Sequence, residues 1–94
     1  MINVEPTIAN TTLTADTEAS YALPNFTVSF TIKARSTTST LRIAVVSGET
    51  ATNYITIPPG SGGWSQEVKG RSAALTIYIR SNEADTAEII SWHN

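Results

Sequence analysis

The sequence has no cysteine, and its one histidine is His93. Without cysteine the protein has no disulfide, no thiolate nucleophile and no thiolate metal site. Charged residues make up 15% of the chain, below the roughly 25% that is usual for soluble domains. The formal net charge is −2, so the chain lacks the basic excess of an electrostatic nucleic-acid binder. We therefore expect no nucleic-acid partner.

Long apolar segments and catalytic motifs are also missing. Apolar runs such as residues 43–46 are far shorter than the roughly 18 residues of a membrane span. No basic segment followed by an apolar one opens the chain, so we expect neither a secretory signal nor a membrane partner. The sequence contains no H-E-x-x-H, G-x-S-x-G, P-loop or G-x-G-x-x-G motif. These absences predict a non-enzymatic protein without cofactor or metal.

The chain does contain a regular alternation of apolar and polar residues. Thr and Ser supply about a quarter of the sequence, and β-branched threonine suits the solvent face of a pleated sheet. Alternation is clearest over residues 26–35, where one face carries Phe26, Val28, Phe30, Ile32 and Ala34. After a polar turn, a second strand is predicted at 40–47 with Leu41, Ile43 and Val45 on its inner face. We expect these two strands to pair as a hairpin.

The same pattern continues to the end of the chain. Further strands are predicted at 53–57, 64–69, 73–80 and 87–93, with weaker ones at 2–4 and 11–14. Turns or loops are predicted at 15–24, 58–63, 70–72 and 81–85. Leu75, Ile77 and Ile79 are expected to point inward, whereas the facing of the last strand is ambiguous. Seven to eight short strands without a helical period predict an all-β, antiparallel two-sheet β-sandwich, jelly-roll or Ig-like, as one domain over residues 1–94.

From Phe26 onward, the order of features resembles a known family. The matching pieces are residues 26–34, residues 41–43, Trp64 at the start of a strand, residues 75–80 and the closing strand at 87–92. Over about two-thirds of the chain, they resemble the galactose-binding-like jelly roll of carbohydrate-binding modules. Such domains also occur in phage tail fibres and other virion appendages. The resemblance implies that Trp64 belongs to the core.

Three aromatic residues are candidates for a ligand platform, because aromatic faces stack on the apolar patches of sugar rings. They are Tyr54, Tyr78 and Trp92. Tyr54 and Tyr78 fall on predicted outer faces. The alternative interpretation is that outward tyrosines are ordinary strand residues.

Two further groups are candidates for protein contact. Lys33, Arg35, Arg42 and Arg80 are expected to share one outer face, which could dock on an acidic protein surface. The alternative is a solvated face whose charges block edge-to-edge aggregation. The N-terminal segment around residues 2–8, with Ile2 and Val4, is expected to be free and could add a strand to a neighbouring protein.

Three functions remain open at this point. The leading hypothesis is a virion structural protein, such as a phage capsid decoration, cement or auxiliary protein, which packs on capsid or other virion proteins and also self-associates. It rests on a Thr/Ser-rich sandwich without secretory signal, in a chain that we expect to end where its domain ends. The alternatives are a carbohydrate-binding module with a glycan ligand and an Ig-like adhesion or spacer domain. The expected location is the capsid surface if the gene is phage-encoded, and otherwise extracellular.

Overall fold

The structure is a computed structural model that describes residues 5–68 and 75–93. Over these residues there are eight strands and no helix, and accordingly no helical membrane span. The strands are β1 (Glu5–Leu13), β2 (Ala19–Ala22), β3 (Thr27–Ala34), β4 (Leu41–Ala44), β5 (Ile55–Ile57), β6 (Trp64–Glu67), β7 (Thr76–Ser81) and β8 (Asp85–His93). The predicted all-β fold and number of strands are confirmed.

The strands form two four-stranded antiparallel sheets. The first sheet has the order β1-β8-β3-β6 and the second has the order β2-β7-β4-β5. The pairing is nested: β1 with β8, β2 with β7, β3 with β6 and β4 with β5. Successive nested pairs alternate between the two sheets, as in a long hairpin wrapped around a core, which is the strand order of an eight-stranded jelly roll. The predicted two-sheet β-sandwich is confirmed.

The predicted hairpin between residues 26–35 and 40–47 is wrong, because β3 and β4 lie in different sheets. The segment between them crosses from the first sheet to the second, and side chains near the β7–β8 turn satisfy its backbone. The Asp85 carboxylate accepts a hydrogen bond from the Ser36 N–H at 3.1 Å, and Asn82 Oδ1 accepts one from the Thr40 N–H at 2.8 Å. With these partners in place, the chain can cross without a hairpin ladder.

Apolar side chains from both sheets meet between them. The core residues are Leu13, Leu23, Phe30, Ile32, Leu41, Ile43, Ile57, Ile77, Ile79, Ala87 and Ile89. The predicted inward orientation of Ile77 and Ile79 is confirmed, since both are fully buried. Trp64 is half-buried against this core, and its ring meets that of Phe30 edge-on at 5.6 Å between centroids.

Two predicted inward residues point to solvent instead. Phe26 has a φ of 63° and is 51% exposed, because β3 begins one residue later. The β3–β8 register also shifts between Thr27 and Ser29, so the alternation predicted from residue 26 is interrupted there. Val45 is 60% exposed, because β4 ends at Ala44 and not at residue 47.

Strand bounds differ from prediction at several other places. β2 lies inside the predicted 15–24 loop, and β1 is longer than the predicted 11–14 strand. β5 and β6 are shorter than the strands predicted at 53–57 and 64–69. The predicted strand at 2–4 and the predicted turn at 70–72 lie outside the described residues.

Candidate functional site

The outer face of the first sheet carries an apolar strip, formed by Pro6, Ile8, Ile90 and Trp92. Pro6 is opposite Trp92 in the β1–β8 register, and Ile8 is opposite Ile90. Their chain neighbours Ile89 and Ser91 point into the core, so the four strip residues point outward. Ile8 is 71% exposed and Trp92 is 40% exposed. Two adjacent strands thus hold four apolar side chains together in solvent.

One carboxylate borders this strip and holds two cations. Glu88 accepts a hydrogen bond from Arg35 Nε at 3.0 Å, and its other oxygen is 3.5 Å from Lys33 Nζ. Arg35 also donates to Asn10 Oδ1 at 3.1 Å. The hydrogen bond from Arg35, aided by the charge of Lys33, lowers the pKa of Glu88. The border therefore keeps one net positive charge beside the strip.

The outer face of the second sheet carries an arginine pair. Arg42 on β4 is directly opposite Arg80 on β7. The Arg42 guanidinium carbon lies 4.6 Å from the centroid of the Tyr54 ring, and Arg80 Nε donates to Thr50 Oγ1 at 3.3 Å. Both ion pairs among residues 5–68 and 75–93 involve Glu88, so neither arginine has a carboxylate within 4.0 Å there. Like charges directly opposite each other in a sheet are unfavourable.

The β4–β5 loop, residues 45–54, folds back over this outer face and is fastened by Glu18. The Glu18 carboxylate accepts hydrogen bonds from the Gly48 N–H at 2.9 Å and from the Thr50 hydroxyl at 2.8 Å. These two bonds, with the Thr50 N–H, lower the pKa of Glu18. Beneath the loop, Ala44 is only 3% exposed. Tyr78, which is opposite Ala44 in the register, is half-buried.

A cavity of about 240 Å³ opens beside the two arginines. We call it the arginine cavity; its lining residues are Asp16, Thr40, Arg42, Arg80 and Asn82. Asp16 has a φ of 55°, and its N–H donates to the Ser81 carbonyl at 2.8 Å, which fixes it at the rim. The cavity thus combines two cations with one carboxylate, one amide and one hydroxyl.

The candidate residues from the sequence divide between the two faces. The expectation of one face with four cations is wrong: Lys33 and Arg35 belong to the first sheet side, whereas Arg42 and Arg80 are on the second. β3 lies in the first sheet and is therefore not a neighbour of β4 or β7. Among the aromatic candidates, Trp92 lies in the apolar strip, and Tyr54 and Tyr78 lie on the opposite outer face. Ile2 and Val4 lie outside the described residues.

Sequence reasoning placed residues 2–8 in a free contact segment, whereas residues 5–8 pair with β8; it missed the apolar strip and the role of Glu18. The period-two spacing of Pro6 and Ile8 is visible in the sequence, but only the β1–β8 pairing joins them to Ile90 and Trp92. Glu18 lies in a predicted loop, and its partners are about thirty residues away in the chain. No local pattern indicates such a contact.

The part of the chain that the structure describes holds no group of three or more His, Cys, Asp or Glu side chains able to bind a metal. His93 Nε2 is 2.8 Å from Thr7 Oγ1, a neighbour on β1. Comparison of the chain with protein-family models, with curated proteins and with solved structures gives no match. What can be proposed about function therefore depends on the two outer faces.

Proposed function

We propose that this protein is a non-enzymatic virion structural protein, of the phage capsid decoration or auxiliary kind, which docks through the first sheet. The apolar strip is the observation that carries the proposal. Single exposed apolar residues are normal on a protein surface, but a contiguous group of them is characteristic of an interaction site. Trp92 supplies the large aromatic anchor that interface centres favour.

The strip is small, and this fits binding in many copies. Full burial of a large apolar side chain contributes about 1.5–3 kcal/mol, and Ile8 and Trp92 are already partly covered, so each contributes only a fraction of its full value. A stable pairwise interface buries roughly 800 Å² on each partner, which is more than four side chains provide. On a regular lattice, many such contacts act together, and weak individual binding is enough.

The fold is compatible with this proposal but is not evidence for it by itself. Jelly rolls occur in viral capsid proteins and in lectins, and one fold hosts many functions. The charged border gives the strip the polar rim that protein interfaces commonly have. The other outer face, with its loop and arginine cavity, would remain in solvent when the first sheet is docked.

Co-sedimentation with virions and empty capsid shells from the system that encodes the gene tests the proposal. Ile8→Lys places a charge in the strip, and Thr12→Lys places the same charge on β1 outside the strip; both positions are exposed. We expect the wild type and Thr12→Lys to sediment with the particles and Ile8→Lys to stay in the supernatant. Failure of the wild type to sediment, or equal binding by both variants, would contradict the proposal.

A second candidate function is carbohydrate binding, which the sequence predicted on three aromatic residues. Those residues do not form one platform, because Trp92 is on the other sheet, Tyr78 is half-buried and the Tyr54 ring is stacked against Arg42. The observation that favours this function is the arginine cavity, where charged and polar side chains converge. The jelly-roll strand order gives no support to the Ig-like spacer alternative.

A further inference from the structure

We infer that the arginine cavity binds a carboxylate-bearing sugar, such as a hexuronic acid unit of an acidic glycan. This inference rests on the second candidate function and is independent of docking through the apolar strip. The two sites are on opposite outer faces of the sandwich, so both can be occupied at once.

The arrangement of Arg42 and Arg80 is the first reason. Opposite residues of an antiparallel pair have Cα atoms about 4.5–5.5 Å apart, so the two cations repel each other when nothing lies between them. Tyr54 holds one guanidinium and Thr50 holds the other. An anion bound between two groups that are already positioned replaces repulsion with attraction and needs little side-chain ordering.

The net charge of the cavity is the second reason. Two arginines and Asp16 sum to one positive charge, which a single carboxylate neutralises. A phosphate dianion would leave an excess negative charge facing Asp16. Glu18 accepts hydrogen bonds from the N–H and hydroxyl groups of the 45–54 loop, and it also interacts with the charge of Arg80, but it does not line the cavity.

The polar groups beside the arginines distinguish a sugar from an acidic amino acid. The Asp16 side chain offers carboxyl oxygens that can accept hydrogen bonds from hydroxyl or N–H groups of a ligand. Asn82 Oδ1 is already used by the Thr40 N–H, which leaves the amide NH₂ to donate. A sugar acid brings several hydroxyls, each a donor and an acceptor, close to its carboxylate, whereas a glutamate residue offers only the N–H and C=O groups of its backbone, farther from the carboxylate. The cavity volume of about 240 Å³, below the roughly 300–1,000 Å³ of pockets for drug-sized ligands, suits one sugar unit.

The test is an NMR titration of the ¹⁵N-labelled protein with glucuronic acid, with glucose as the neutral control and with N-acetylglutamate amide as the amino-acid control. We expect saturable shifts at Arg42, Arg80 and Asn82 with glucuronic acid, and binding at least tenfold weaker for both controls. Arg42→Gln and Asp16→Asn should each weaken glucuronic acid binding at least tenfold. Lys33→Gln removes a cation from the other face and should leave binding unchanged.

The outcomes separate the possible failures. Equal binding of glucose and glucuronic acid would overturn the role of the carboxylate but leave carbohydrate binding in place. Equal binding of N-acetylglutamate amide would mean that the cavity takes acidic side chains of a protein, and would overturn the sugar. No saturable shift with any probe would overturn both this inference and the second candidate function. The amide spectrum of each variant shows directly whether it is folded, and a variant that is unfolded is replaced by Arg80→Lys, which keeps the charge but loses the planar fork.

Discussion

Replacement of Gly63 by alanine should destabilise the protein strongly, because this glycine lies against the backbone of a neighbouring strand. It has a φ of +102°, outside the usual range for residues with a side chain. A Cβ at this position would lie 2.4 Å from the carbonyl oxygen of Ile32 and 2.7 Å from the Cβ of Lys33. Neither atom is the end of a flexible side chain, so β3 or the loop before β6 must move.

Two effects set the size of the loss. A residue with a Cβ in left-handed backbone costs about 1–2 kcal/mol, and overpacking against a fixed neighbour costs about 1–3 kcal/mol more. The expected loss is therefore about 2–5 kcal/mol. A chain of 94 residues has a free energy of unfolding of about 5–14 kcal/mol at 0.05–0.15 kcal/mol per residue, so Gly63→Ala removes a large part of it.

Urea unfolding measures this loss, and Gly62→Ala is the matched control. Gly62 has a φ of +85°, but an added Cβ there would meet no heavy atom within 4 Å. Gly62→Ala should therefore lose only the free energy that arises from backbone strain, about 1–2 kcal/mol. We expect a lower urea midpoint for both variants, a clearly larger drop for Gly63→Ala, and an unchanged slope. Equal midpoints for the two variants would refute the argument that the Ile32 carbonyl is a rigid obstacle.

Two further predictions concern the core and the loop. Ile79→Ala should lower the free energy of unfolding by about 2–5 kcal/mol, because it leaves a cavity in the core. Ile8→Ala on the exposed strip should change it by less than about 0.5 kcal/mol. Thermal melts measure both losses, and similar losses for the two variants would contradict the burial pattern. Because the hydrogen bonds from Gly48 and Thr50 lower the folded-state pKa of Glu18 below that of an unfolded glutamate, its contribution to stability is present above the unfolded pKa and is lost as the pH falls through the lowered folded-state pKa. Glu18→Gln should therefore be less stable than wild type near pH 7 and approach it at low pH in urea titrations, and a constant difference would contradict this.

The sequence was sufficient to predict the fold class, because alternation is a local signal. Ile77 and Ile79 both point inward, as their spacing predicts, and β7 ends at Ser81, one residue after the predicted end of that strand. The resemblance to galactose-binding-like domains remains a prediction.

Strand pairing could not be predicted in the same way. A polar turn between two apolar strands looks alike whether the chain turns back or crosses to another sheet, and the crossing after β3 depends on Asp85 and Asn82 from a distant turn. β2 was missed because its four residues include alanine and serine but no β-branched residue. Phe26 fits the alternation by type, yet its positive φ turns it outward.

The candidate surfaces could not be predicted either, because each of them depends on which strands pair. Arg42 and Arg80 do lie on neighbouring strands, but Lys33 and Arg35 do not join them, because β3 belongs to the other sheet. The strip requires Ile8 and Ile90 to be adjacent, and these residues come from opposite ends of the described chain. Residue type and spacing identified individual candidate residues, but only the order of the strands shows which of them share a surface.

The nested order of the strands also determines when each pair of strands can form as the chain is synthesised. The innermost pair, β4 with β5, closes the shortest loop, while β1 gains its ladder partner only after β8 has been synthesised. Pairing over such sequence separations is intrinsically slow. On the ribosome, the backbone N–H and C=O groups of β1 therefore have no ladder partner until β8 has been synthesised, and a nascent chain that stops before residue 85 leaves β1 as an unpaired edge.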